Sequence, residues 1–435
     1  MPFSSAVVYA RINQTYINEV VDIWYPDFPY LVGAKISLVR GGISNIDISL
    51  EMPYDDFIDV VDTRMPHIFD IGNIISLRFG YSDEGIYTPW YHGLVTEPDI
   101  SITPGQNVTI SLPGNPVNAL MKTCTTTSWQ NVTAQKVIEE ILSKHGFLVS
   151  YRDDETKKLF SEHKIKSLEH GNNMDYDVLH NLIEQRGCTY WQGSDVDGHA
   201  TFFISSLKSE NSTKPVRRFA ANGNYEPEKS QYPLLSYSAE SKVMWQPAIS
   251  QGIVSHEVDR DTKRIETISF SQNTSSVPSP MPVIMSTVPE KDGKKNIFSG
   301  LMASRKQNIS KQETPGLQLY CPTNEDKTFT KDKLQATQDR ARVLAGISAN
   351  ISTLGNIYVV PGELCELSGL GARFNGVYRV DKVDHNFSAG KWDTTMDVTS
   401  EGFTNGLTFG QHATNVIGNQ LATEQPESSR DAKGK

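Results

Sequence analysis

The sequence predicts a mainly β protein with a small α/β insert, flanked by antiparallel β regions that read as a barrel or sandwich before it and a sheet or barrel after it. Three observations carry this expectation. Short apolar-polar alternating runs, punctuated by Gly, Pro and Asn, fill residues 1–114. Helical spacing first appears after Pro116, in a stretch of its own. Residues 355–402 then read as an antiparallel meander that needs a sheet or barrel to complete it.

The first β region opens with strand-like runs at 34–39 and 46–50 around Gly41-Gly42. Residues 54–64 are acidic and read as a short helix or a loop. Ile75, Leu77 and Phe79 alternate along the next strand, Trp90 to Val95 gives another, and 99–103 pairs with 108–112 across Pro104-Gly105. In the insert, Ala134, Val137, Ile138, Ile141 and Leu142 recur at helical spacing, with Asn131 or Thr133 as N-cap and Gly146 past the end. A second helix starts at Asp175, aligns Val178, Leu179, Leu182 and Ile183, and ends at Gly187. Residues 188–192 and 200–205 then form a hairpin.

The pattern returns to β over 219–268. Residues 270–312 are rich in Ser, Pro, Asn and Lys without a period and read as a long excursion. Thr330 is placed to cap a helix carrying Leu334, Ala341, Leu344 and Ala345. In the closing meander Pro361-Gly362 makes a type II turn, Asn375-Gly376 a two-residue hairpin and Ala389-Gly390 a further turn. The expected division is a β-barrel over 1–116, the insert over 117–208, a second barrel from 209–269 with 331–404, an insertion at 270–330 and a polar tail at 405–435.

Composition narrows the function. The 435 residues carry 51 acidic and 41 basic side chains, a formal net charge of −10, opposite in sign to a typical nucleic-acid binder. An acidic wall would instead let DNA slide past without sticking. No apolar run approaches the length of a spanning helix, and Met1 to Ala6 lacks the features of a secretory signal. Cys124, Cys188, Cys321 and Cys365 are scattered, so free thiols in a reducing cytoplasm are expected and no metal site.

Candidate chemistry is sparse. Asp384, His385 and Asp393 lie near one turn, but no nucleophile or third ligand is close in sequence, and a strand histidine paired locally accounts for them. His256-Glu257 with Asp259 lacks the second histidine of a zinc-protease motif. Asp55-Asp56 and Asp153-Asp154 read as solvated loop pairs. Gly369-Leu370-Gly371 lacks the third glycine and following helix of a dinucleotide site. The sequons at Asn107 and Asn131 read as chance matches. Trp24, Trp90, Trp129, Trp191, Trp245 and Trp392 are spread over every module and read as core or interface anchors rather than a sugar platform. No catalytic, cofactor-binding or metal-binding residue is assigned.

Two segments share a rhythm: 79–114 and 367–402 each offer an aromatic strand, an extended acidic strand, a Gly turn and an alternating strand, a weak internal duplication. With Phe79-Gly80-Tyr81, Tyr91-His92-Gly93-Leu94-Val95, Val360-Pro361-Gly362, Phe374-Asn375-Gly376-Val377-Tyr378 and Val383-Asp384-His385-Asn386-Phe387-Ser388 in view, the chain resembles phage tail hub proteins of the late-control D type, related to the hub portion of type VI secretion spike proteins. Lys144-His145-Gly146 and Asn173 to Leu179 extend the resemblance into the insert. It implies a non-enzymatic homotrimer in which each subunit's two flanking β regions are tail-tube-like antiparallel β-barrel domains. Three subunits would then imitate the sixfold tube on one side and meet the threefold spike on the other, enclosing a channel for DNA in the virion baseplate. A tail-associated peptidoglycan hydrolase, housed in the insert, and a carbohydrate-binding adhesin are the competing expectations.

Overall fold

The computed structural model describes residues 6–242, less 16, 26–29, 65, 83–85, 104–105, 125–127, 163, 170–172, 207–208, 211–214, 225 and 227–228, then 253–258, 265–270, 317–319 and 346–401, less 372–373 and 389. The helix expected after Thr330, Trp245, Cys321, most of the excursion and the tail lie outside the described residues.

The leading β half contains β1 (Ala6–Gln14), β2 (Glu19–Tyr25), β3 (Leu31–Val39), β4 (Asn45–Met52), the short helix α1 (Tyr54–Asp59), β5 (Ile74–Tyr81), β6 (Ile86–Tyr87), β7 (Tyr91–Val95), β8 (Asp99–Ile102) and β9 (Val108–Asn115). The insert contains α2 (Asn118–Lys122), β10 (Ser128–Thr133), α3 (Ala134–Lys144), β11 (Leu148–Tyr151), α4 (Asp154–Ser161), β12 (Lys164–Glu169), α5 (Asp175–Glu184), β13 (Cys188–Ser194) and β14 (Ala200–Ser206). The trailing β half contains β15 (Arg217–Ala221), β16 (Gln231–Leu234), β17 (Ser236–Lys242), β18 (Ile253–Val258), β19 (Ile265–Phe270), β20 (Leu317–Leu319), β21 (Gly346–Leu354), β22 (Leu364–Ser368), β23 (Gly376–Ser388) and β24 (Lys391–Glu401).

Local chemistry sets the element ends. The Thr133 hydroxyl accepts from Lys136 N and caps α3, and Gly146, at φ +77°, releases the chain after it. Asp153 caps α4 by accepting from Thr156 N at 2.6 Å. Gly362 takes φ +83° in the turn before β22, as the Pro-Gly pair requires. Asn375-Gly376 does not form a two-residue hairpin. Residues 369–375 connect β22 to β23, and the Asn375 side chain braces that loop by accepting from Leu370 N at 2.8 Å.

Among the described residues the strands do not close into the two expected barrels. Both β halves, apart from the separate sheet β19-β18-β20, belong to one 16-stranded sheet whose main path runs β16-β15-β22-β23-β3-β4-β9-β7-β5-β1-β2 and does not close. The physical reason lies in β3. A separate barrel would pair β3 with another strand of its own half, but its outer edge is taken by β23 of the other half, antiparallel from Lys382↔Val39 to Ser388↔Gly33. A continuous hydrogen-bonded ladder therefore welds the halves. One core follows from it: Ile36, Ile48, Leu77 and Ile110 pack with Tyr378, Val383, Trp392 and Met396 in a single cluster. The insert has a core of its own, which includes Val117, Trp129, Ile138, Leu179, Tyr190 and Phe202.

The expected duplication exists as topology. Neighbours run β5-β7-β9-β4-β3 in the leading half and β22-β23-β24-β21-β17 in the trailing half, and each series occupies the same order along the chain. β8 pairs with β9 beyond the reach of β7, so β7 and β8 together take the place of the single long β23.

Candidate functional site

The structure brings its charged groups together at the corner where the two halves and the insert meet. There the chain leaves β3 through Arg40-Gly41-Gly42. Gly41 N donates to Tyr190 O at 2.6 Å, and the buried Gln192 side chain accepts from Ser44 N and donates to Gly42 O, each at 2.8 Å. Positive φ at Gly41 (+65°) lets the backbone turn this tightly against β13. Arg40 then reaches in two directions, to Glu210 at 2.6 Å and to Asp381 of β23 at 3.5 Å.

The named charges at this corner pair with one another. The Glu210 side chain is 0% exposed and also accepts from the Ser205 hydroxyl. Arg379 donates to Asp381 at 3.2 Å, Arg217 pairs with Glu363, and Arg152 of the insert donates to Gly362 O at 3.1 Å. Burial pushes the Glu363 carboxyl up from its ordinary pKa, against the pull of Arg217 and Arg152. Removing one member of such a set leaves a buried charge unpaired, so the arrangement fixes geometry strictly. Its chemistry is positional: it locks the insert to both halves at one point. Sequence reasoning missed it because its members lie as far apart as Arg40 and Asp381, 341 positions along the chain.

Aromatic packing reinforces the weld between the halves. Trp392 of β24 stacks on Phe79 of β5 with centroids 5.7 Å apart and touches Tyr81 at 5.0 Å. Phe387 meets Tyr25 edge to face at 5.0 Å. His385 lies in this core with its ring 6.1 Å from Phe79 and 5.9 Å from Trp392.

The sequence candidates do not converge. His385 is fully buried and bonds Thr394 Oγ1 through Nδ1 at 3.1 Å, while its Nε2 has no partner. Burial pushes its pKa down to about 4. Asp384 and Asp393 flank His385 and Thr394 along their strands, so they point to the opposite face, and Asp384 instead bonds Lys382 at 2.8 Å and Lys35 at 3.3 Å. His256 and Glu257 lie on β18, and Asp259 is outside the described residues. Asp55 and Asp56 begin α1 rather than a loop, and Asp56 accepts from Tyr30 Oη at 2.7 Å.

The described tryptophans form no common platform. Trp24 is exposed, Trp90 covers the Arg78 guanidinium at 4.5 Å, Trp129 bonds Glu140, and Trp191 stacks on Phe203 at 4.2 Å. Cys188 and Cys365 are buried free thiols, and Cys124 is exposed. Asp195, Asp197 and His199 cluster at the β13–β14 turn, where Asp195 caps the turn by accepting from Asp197 N and His199 N. Among the described residues, no helix is long and apolar enough to cross a membrane.

No family model matches the chain, and no curated protein matches it. Solved structures do. A tail protein from Neisseria meningitidis MC58 superposes with a TM-score of 0.55 at 9% identity, covering 92% of this chain and 98% of that one. The 43 kDa tail protein of prophage MuSo2 from Shewanella oneidensis superposes with a TM-score of 0.55 at 11% identity, over 91% of this chain and 98% of that one. The chain shares the fold of these tail proteins over 91–92% of its length.

Proposed function

We propose that the chain is a structural hub protein of a contractile phage-like tail, of the late-control D kind. Three copies would stand in the virion baseplate between the tail tube and the central spike, beside other baseplate proteins, after folding in the host cytoplasm. DNA would pass through the channel they enclose, and neither catalysis nor membrane insertion has a part. One observation carries this reading: the likeness to two tail proteins spans 91–92% of this chain and 98% of each of them, so the whole architecture, not one module, is of the tail type. The corner joint and the single welded sheet fit a load-bearing part, since both hold units in fixed relation. The division into 1–116, 117–208 and the remaining β segments belongs to the same proposal, and limited proteolysis reporting cuts at 116 and 208 tests it.

Native mass measurement, alone and with tube and spike proteins added, tests the assembly. A three-copy species is expected, and a chain that stays monomeric under all these conditions refutes the hub. A zymogram on cell wall tests the absence of catalysis, and clearing by the pure protein would overturn it.

A further inference from the structure

We propose that the outer face of β1, β2 and β5 is the docking surface for a different protein of the particle, one that sets a carboxylate against Arg78 and apolar side chains to either side of it. This rests on the hub reading, because it needs a neighbour in an assembled tail.

The strand register builds the surface in rows. Tyr9 stands between Trp24 and Arg78, Arg11 stands beside Asp22, and Asn13 stands between Val20 and Ile74. These residues share the face turned away from the core, since Val8, Ala10 and Ile12 on the other face of β1 are buried. The two end rows carry apolar side chains open to solvent: Trp24 is 44%, Val20 54% and Ile74 38% exposed. Trp24 and Val20 lie about 13 Å apart along β2. Exposed apolar residues scattered singly are ordinary, but a group on one face marks an interaction surface.

The middle of the face carries charge that the molecule leaves unanswered. The Arg78 guanidinium lies against the rings of Tyr9, Tyr87 and Trp90 at 4.7, 4.8 and 4.5 Å. Among the described residues it has no carboxylate partner, and its buried Nε has no hydrogen bond. Arg11 lies 5.3 Å from the Trp90 ring and pairs with Asp22 at 2.7 Å. Two guanidinium groups thus stand beside one carboxylate, on a chain whose net charge is −10. The rings keep water from Arg78, so an incoming carboxylate is held more strongly there than in bulk solvent. Trp, Tyr and Arg are also the residues that concentrate binding energy at protein interfaces.

The shape selects the occupant. Three strands give a face about 10 Å wide rather than a cleft, which suits a protein and not a small ligand. The apolar row at Val20 and Ile74 offers nothing to a phosphate backbone. The same face of a second copy would bring guanidinium against guanidinium.

Photo-crosslinking in whole particles tests this. Trp24→p-benzoylphenylalanine and, separately, Val20→p-benzoylphenylalanine put the probe at exposed positions of the full chain. Irradiation of purified particles should join each variant to one other protein, with an aspartate or glutamate within a few residues of the mapped link. Trp24→Asp with Val20→Asp should keep the circular dichroism and native mass of the wild type, while retention of that neighbour in particles falls at least about tenfold. Arg78→Met should release it to a similar extent, and Arg78→Lys, which keeps the charge without the fork, should release less. A link to a second copy, to nucleic acid or to a segment without an acid overturns the proposal. So does the absence of any link in particles that contain the chain, or unchanged retention in the variants. Particles that lack the chain altogether overturn the hub itself.

Discussion

Replacing His385 by leucine is expected to flatten the acid side of the stability curve. The imidazole is wholly buried between Phe79 and Trp392, and burial holds its pKa down at about 4. An unfolded histidine titrates near about 6.5. Because the folded pKa is the lower one, the unfolded chain takes the proton first. The contribution is therefore complete above about pH 6.5 and is lost progressively as pH falls towards about 4. A difference of about 2.5 pH units corresponds to about 3 kcal/mol in all, of which about 2 kcal/mol is lost between about pH 7.5 and about pH 5. At neutral pH the substitution removes one hydrogen bond worth about 1 kcal/mol together with an unsatisfied nitrogen. Thr394 still accepts from Asn356 N at 2.9 Å. Urea unfolding followed by tryptophan fluorescence at the two pH values measures this, because carboxylates titrate alike in both proteins and cancel in the difference. Equal loss of stability on acidification in wild type and His385→Leu refutes the reasoning.

Glu210→Ala leaves Arg40 with Asp381 alone at 3.5 Å, and about 3 kcal/mol should be lost, seen as faster amide exchange where β13 meets the Arg40 corner. Arg40→Met with Glu210→Leu removes both charges and should cost much less than Glu210→Ala in the same exchange measurement. At Gly355 a Cβ would lie 2.2 Å from Trp392 Cδ2, so Gly355→Ala should displace the indole from its stack on Phe79. About 1–3 kcal/mol of stability should go with it, measured as a lower urea midpoint and a shifted tryptophan emission.

Local chemistry was legible and long-range pairing was not. The α3 cap at Thr133, the stop at Gly146, the apolar face of α5 and the turn at Gly362 follow from side-chain size, capping oxygens and tolerance of positive φ, all of which act within a few residues. The duplicated rhythm pointed to the repeat, yet barrel closure was expected where an open sheet stands. Each strand's alternation says which face is buried, but nothing in it says whose edge lies alongside. The β3–β23 pairing joins residues more than 340 positions apart, and either strand would read the same beside a neighbour from its own half. Asn375-Gly376 failed for a related reason: the dipeptide suits a tight hairpin, but here Asn375 turns its side chain inward to Leu370 N and supports a longer connection.

The repeat also explains where the additions attach. The turn between β3 and β4 carries Arg40-Gly41-Gly42, and the insert docks on it through Tyr190, Gln192 and Glu210. The corresponding turn lies between β17 and β21, where Lys242 pairs with Gly346 and residues 243–345 leave and return. The same corner of the unit is thus used twice, once to receive an insert and once to extrude an excursion. A corner at the end of a hairpin admits such additions because lengthening its loop costs little and disturbs no ladder bond.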